Sequence, residues 1–133
     1  MCSKKRTQVG RCFDLSESVP LSDWPDDKWR WGRELLNCFD DLRDEFAVRD
    51  PAVVDREVLP GFSGDPNGMV IWLICRNAVD VARLASNEPE LWRSIARRMC
   101  YRGFPPSAVE SVRIAFTSWE DIRNGGGRFY FFR

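Results

Sequence analysis

The chain has 133 residues, of which 44% are apolar and 30% charged, with equal numbers of acidic and basic side chains and no histidine. These proportions are typical of one folded globular domain and exclude a wholly disordered chain. The lack of histidine excludes the Ser–His and Cys–His nucleophile pairs and removes the commonest ligand of transition metals.

The chain shows neither a targeting segment nor a disulfide pattern. Its basic start is not followed by an apolar h-region, and its longest apolar run, 69–75, has the length of a strand. These features predict no secretory signal and no transmembrane helix. The five cysteines are odd in number and widely spaced, without a C-x-x-C motif, which argues against a disulfide framework and a zinc site. We therefore expect a cytoplasmic protein that does not bind membranes.

Charge is unevenly distributed along the chain. Residues 1–11 carry four bases and no acid, residues 12–66 carry fourteen acids and six bases, and residues 67–133 carry six acids and ten bases. The net charges of these segments are therefore +4, −8 and +4, a pattern that bears on partners rather than on fold. Apolar residues are few in 1–20, which predicts a loosely ordered arm before a single domain at 21–133.

Segment 23–46 is predicted to form one long helix. Ser22 or Asp23 can cap it, and Pro25 suits its first turn. We expect the helix to end near Asp50–Pro51, because the residue before proline avoids the helical region. The apolar residues at helical spacing on one face are Trp24, Trp31, Leu35, Cys38, Phe39, Leu42 and Phe46.

Three segments after this helix are predicted to form strands. Residues 52–59 are rich in valine, and residues 69–76 are apolar on both faces, which is typical of a central strand. The intervening loop contains Asn67–Gly68, a pair that favours positive φ, so we expect these strands to be antiparallel. Residues 112–116 alternate in a way that predicts a strand with one buried face.

Two helices are predicted between the second and third strands. Asn77 can cap a short helix that runs to Ala85. A longer helix follows over 87–102, with Pro89 in its first turn and Gly103 at the position after its end. Its exposed side is basic and consists of Arg93, Arg97, Arg98 and Arg102.

The C-terminal run predicts a short helix, a turn and a final strand. Ser118 to Asp121 resembles a capping box, and Gly125–Gly127 suits a turn. A phosphate loop would need a helix and a lysine after its glycines, whereas the aromatic segment 128–133 predicts a strand. The fold class is therefore α+β: one domain with a mixed or antiparallel sheet of about four strands and helices packed on one face.

The segment from Phe104 to Arg133 resembles small bacterial immunity proteins of polymorphic-toxin and contact-dependent growth inhibition systems. The shared elements are a Gly-Phe-Pro turn, a V-x-I-x-F strand, the sequence Thr117-Ser-Trp-Glu120, a glycine turn and an aromatic end with a basic last residue. The resemblance implies a cytoplasmic inhibitor that neutralises one cognate toxin C-terminal domain, a nuclease, by protein–protein interaction. It implies no catalysis and no cofactor.

The acidic end of the first helix is the predicted site for this partner. Acids there have the wrong sign for a helix C-terminus, so either a nearby arginine offsets them, or they bind a partner, or they form a merely solvated face. Many toxin domains that act on nucleic acid are basic, and an acidic inhibitor would associate with them faster. Because tryptophans two residues apart diverge on a helix, we also expect partial exposure of Trp29. The predicted partner-binding residues are Trp29, Asp40, Asp41, Asp44 and Glu45.

The same residues also bear on two other functions, nucleic-acid binding and catalysis. The basic helix 90–102 suggests a nucleic-acid-binding or regulatory module, with the aromatic residues 129–132 as stacking candidates, although the acidic segment 12–66 would repel phosphate. An enzyme is not predicted, and neither is a metal site. The acid pairs four residues apart near the end of the first helix lack the loop of alternating oxygen ligands that Ca²⁺ sites use.

Overall fold

The computed structural model describes residues 29–61 and 64–132. The predicted arm at 1–20 and the predicted start of the first helix, with Ser22, Asp23 and Pro25, lie outside these residues. The described elements, in chain order, are α1 (Arg30–Ala47), β1 (Asp55–Leu59), β2 (Val70–Cys75), α2 (Val81–Ser86, after a 3₁₀ turn at Ala78–Asp80), α3 (Glu88–Tyr101), α4 (Pro106–Ser111), β3 (Arg113–Ser118), α5 (Trp119–Asn124) and α6 (Arg128–Phe131).

The sheet has the strand order β1–β2–β3. β1 and β2 are antiparallel, with Val58 opposite Ile71, as the sequence predicts. β2 and β3 are parallel, with Ile71 beside Ile114, and the chain crosses between them through α2, α3 and α4. The α+β class and the mixed sheet are confirmed, and the strand that is apolar on both faces is the central one.

The predicted final strand is wrong, so the described sheet has three strands rather than four. Residues Arg128–Phe131 form the helical turn α6, entered through Gly126 and Gly127 at φ 93° and 95°. Phe131 and Phe132 pack edge-on against Trp72 of β2, with ring centroids 5.8 and 5.3 Å away. Packing of the aromatic rings against the sheet outweighs the intrinsic preference of these residues for a strand.

Helical segments cover both faces of the sheet, which corrects the prediction of helices on one face. On the first face, Val58 and Ile71 lie in the main core with residues of α1 and α3, including Leu35, Phe39 and Ile95. The opposite face carries the alternate residues of each strand, and there α6 packs on Trp72. β2 is therefore apolar on both sides because both sides are covered.

The helix boundaries follow local hydrogen-bond chemistry. α3 ends in a Schellman motif: Gly103 has φ 85°, and the Phe104 N–H donates to the carbonyl of Met99 over 3.1 Å. Ser118 caps α5 as predicted, its Oγ accepting from the Asp121 N–H at 3.0 Å. The predicted apolar side of α1 is confirmed where it is described, because Leu35, Cys38, Phe39 and Phe46 are buried.

Arg128 fastens the C-terminal segment to β1. Its side chain is almost fully buried, with Nη2 2.6 Å from Glu57 Oε1 and Nη1 3.6 Å from Asp55 Oδ2. It also donates to the carbonyl of Arg56. Burial raises the pKa of the Asp55 carboxyl, an effect that the N–H of Arg56 and the Arg128 guanidinium oppose. The cation and the two carboxylates depend on each other, since each would be costly to bury alone.

Replacing Arg128 with alanine should therefore destabilise the domain strongly. Arg128→Ala leaves the buried Asp55 with Arg56 alone, whose Nη1 is 3.8 Å from Oδ1, and deprives Glu57 of its partner, so we expect the free energy of unfolding to fall by about 3–5 kcal/mol. The matched control is Arg123→Ala, which removes an exposed arginine of α5 and should change stability by less than about 0.5 kcal/mol. Urea denaturation measures both, and equal losses in the two variants would contradict the anchoring role of Arg128.

Candidate partner-binding surface

The acidic end of α1 lies against the basic side of α3. Asp41 Oδ2 accepts from Nε of Arg98 and from Nε of Arg102, both at 2.7 Å, and its Oδ1 accepts from Arg102 Nη2 at 3.1 Å. Arg102 also reaches Glu34, with Nη1 3.2 Å from Oε1. Two arginines of α3 thus clamp carboxylates on two turns of α1 and join the helices across their polar edge.

The hydrogen bonds from Arg102 and Arg98 lower the pKa of Asp41 to about 2. The same contacts place positive charge beside the C-terminal half of α1, whose last turn contains no basic residue. They therefore offset the unfavourable sign of the acids near the helix end. One explanation that the sequence left open, a nearby arginine, accounts for Asp41.

Glu45 occupies the same side of α1 as Asp41, four residues further along. Its Oε2 accepts a hydrogen bond from Ser94 Oγ of α3 at 3.1 Å. Residues four apart lie above one another on a helix, so Asp41 and Glu45 form one stripe that faces α3. This stripe stabilises the packing of α3 on α1.

A second stripe of α1 faces away from α3. Asp40 is paired with Arg43 at 2.8 Å, yet its side chain remains 40% exposed. Asp44 is exposed, and within the described residues no hydrogen bond or ion pair holds its carboxylate. One turn later, at the end of the helix, Val48 is 83% exposed. We call Asp40, Asp44 and Val48 the outer stripe of α1.

The structure does not bring all the predicted binding residues together. Trp29 is half-buried and precedes the first turn of α1, whereas Asp44 lies near its last turn. At 1.5 Å per residue, the two positions are separated by about 20 Å along the helix axis. A compact partner contact can be centred on Trp29 or on the outer stripe, but not on both. The five predicted residues therefore do not form one patch.

Sequence reasoning missed Val48. The predicted end of the helix near Asp50–Pro51 includes this valine, but only Trp29 and four acidic residues were predicted to bind a partner. The helical period places Val48 on the same side of the helix as Asp40 and Asp44. This side is opposite the buried positions Phe39 and Phe46, so the sequence alone predicts that Val48 is exposed. A single exposed apolar residue is ordinary on a protein surface, so Val48 is of interest only for its position beside Asp40 and Asp44.

The basic helix is less available than its sequence indicates. Of its arginines, Arg98 and Arg102 bind Asp41. Arg98 also lies over the ring of Tyr101, 4.4 Å from its centroid, and this tyrosine is 77% exposed. Arg93 and Arg97 are exposed on the remaining side. Of the predicted stacking residues 129–132, Phe131 and Phe132 pack on Trp72, so these two do not lie beside this helix.

Comparisons of the chain with protein-family models, with curated proteins and with solved structures gave no match. Among the described residues, no group of three or more cysteine, aspartate and glutamate side chains is placed to hold a metal ion. None of the described helices is both long enough and apolar enough to cross a membrane.

The stability contributed by Asp41 should depend on pH. Its folded-state pKa of about 2 lies below the ordinary value of 3.8, so this contribution is complete above the ordinary value and is lost as pH falls through the folded one. Asp41→Asn should lower the free energy of unfolding near neutral pH by about 1 kcal/mol, since surface pairs are screened by solvent.

The control for this measurement is Asp44→Asn, which removes an exposed carboxylate with no pair among the described residues. Urea unfolding of both variants and the parent chain, followed from neutral pH into acid, gives the two stability differences. We expect the Asp41→Asn difference to shrink as the parent's Asp41 becomes protonated. A difference that stays constant down to the lowest pH would contradict the assigned role of these ion pairs.

Proposed function

We propose that this chain is an immunity protein that binds the C-terminal domain of a cognate bacterial toxin, a nuclease, and neutralises it by protein–protein contact. The observation that carries the proposal is the outer stripe of α1, where Asp40 and Asp44 present carboxylates beside the exposed Val48. An apolar contact bordered by carboxylates suits the basic, phosphate-binding surface of a nuclease.

The division of the acidic residues into two stripes supports this proposal. Because Asp41 and Glu45 are held by α3, they keep the helix in place rather than compete for a partner. Asp44 can then meet an incoming cation without breaking a hydrogen bond or ion pair to any described residue. Carboxylates in this position increase the association rate more than the final affinity.

The C-terminal resemblance supports the proposal only in part. The turn after Gly103, the strand β3 and the Ser118-capped helix all form in the expected order. The last shared element departs from the pattern, since residues Arg128–Phe131 are helical rather than extended. The alternative of a nucleic-acid-binding module is weaker, because Arg98 and Arg102 are already paired with Asp41 and Glu34.

The test uses the protein domain encoded immediately upstream of this chain, produced with its own activity disabled. We expect the two proteins to co-purify and the intact domain to arrest growth unless this chain is co-expressed. The double variant Asp44→Lys/Val48→Lys should slow association at low salt by about tenfold, because it reverses the charge of the outer stripe of α1 and leaves the contacts of Asp41 and Glu45 with α3 in place. Stopped-flow or biosensor kinetics give the rate.

The matched control is Ala82→Lys/Glu110→Lys, which changes net charge equally at exposed positions on other elements. This control should leave the association rate within about twofold of the parent, if position matters more than total charge. Equal slowing in both double variants would reject the outer stripe as the binding surface. Failure of the parent chain to bind the upstream domain or to protect against it would reject the function itself.

A further inference from the structure

The outer edge of β3 carries backbone groups that no other described residue uses. In the described sheet, β3 is an edge strand whose neighbour is β2, and the Arg113 N–H donates to the Met69 carbonyl at 3.0 Å. In a parallel pair, alternate residues direct both backbone groups to the same neighbour. The backbone N–H and C=O groups of Arg113, Ala115 and Thr117 therefore point to β2. The backbone groups of Ile114 and Phe116 point the opposite way, out from the edge of the sheet.

No hydrogen bond of the described part of the chain reaches these outward groups of Ile114 and Phe116. The side chains of both residues are only half-buried, and both lie at the margin of the main core. An open edge with incompletely covered apolar side chains is a template for another strand.

The opposite edge of the sheet is protected near its start. On β1, the Arg56 N–H donates to Asp55 Oδ1 at 2.8 Å, and the Arg56 carbonyl accepts from Arg128. Side chains thus occupy backbone groups that a further strand would need. On β3, by contrast, no side chain of the described residues bonds the outward backbone groups, and the strand has Arg113 as its one charged residue and no proline.

We propose that two copies of this chain associate through β3, paired antiparallel about Ala115, so that one sheet runs through both protomers. In this register Ile114 of each copy lies opposite Phe116 of the other. Both members of such a pair exchange N–H···O=C bonds, so every outward group of Ile114 and Phe116 finds a partner. The proposal goes beyond the toxin-binding function and uses a different surface.

Side chains and charge also fit this two-fold pairing. The exposed parts of Ile114 and Phe116 would cover each other across the strands, and aromatic pairs with β-branched residues stabilise sheets. Arg113 lies opposite Thr117 of the other copy, so no like charges meet. The two Ala115 residues face each other at the non-hydrogen-bonded position, where side chains approach most closely and a methyl group fits.

Sedimentation velocity of the full chain over a wide range of concentration tests the proposal. We expect a dimer in the parent chain and loss of this dimer in Ala115→Lys, which places two ammonium groups face to face at the two-fold axis. The matched control is Ala82→Lys, an exposed alanine on α2 that should leave the dimer intact. A parent chain that stays monomeric at every concentration would overturn the proposal, as would a dimer that survives in folded Ala115→Lys.

A second variant decides the matter if Ala115→Lys does not fold. Ala115→Cys, in a chain whose Cys2, Cys12 and Cys100 are replaced by serine, should form a disulfide-linked dimer on mild oxidation, because the two sulfurs face each other across the axis. Ala82→Cys in the same background is the control and should remain a monomer on non-reducing gels. Equal cross-linking of both variants, or none at position 115, would overturn the proposed pairing.

Discussion

The burial of apolar side chains on both faces of β2 is the constraint on which the rest of the fold depends. Ile71 and Leu73 point to one face and Ile74 to the other, and all three are fully buried. A strand of this kind needs helices on both sides and a paired strand on each edge. The crossover through α3 supplies one side and the parallel neighbour β3. The C-terminal turn α6 supplies the other side, held by the contacts of Arg128 with β1.

Sequence reasoning succeeded where local chemistry decides the structure. The ends of α3 and α5 were predictable, because Gly103 and Ser118 satisfy backbone groups within their own turns. The segment after Gly127 was not, because an aromatic run has no period to distinguish a strand from a helix. Its conformation depends on Trp72 and Glu57, which are distant in sequence and gave no local clue to their role.

The acidic cluster of α1 shows the same limit at the level of a site. The sequence predicted where the cluster lies in the chain. It did not predict that Asp41 is paired and Asp44 exposed, because this difference depends on which side of the helix meets α3. That difference comes from the tertiary position of Arg98 and Arg102, some sixty residues later in the chain. A charge count treats these acids as equivalent, whereas packing pairs Asp41 with α3 and leaves Asp44 exposed.

The clamp on Asp41 has a consequence for how this surface can change over time. Because Asp41 and Glu45 hold α1 against α3, substitutions at Asp44 or Val48 alter the exposed surface without breaking these contacts. Under the proposed function, recognition and folding are thus divided between neighbouring residues of the same helix. A lineage of such chains could replace its contact residues one at a time, each intermediate remaining folded, and so follow a partner whose own surface drifts.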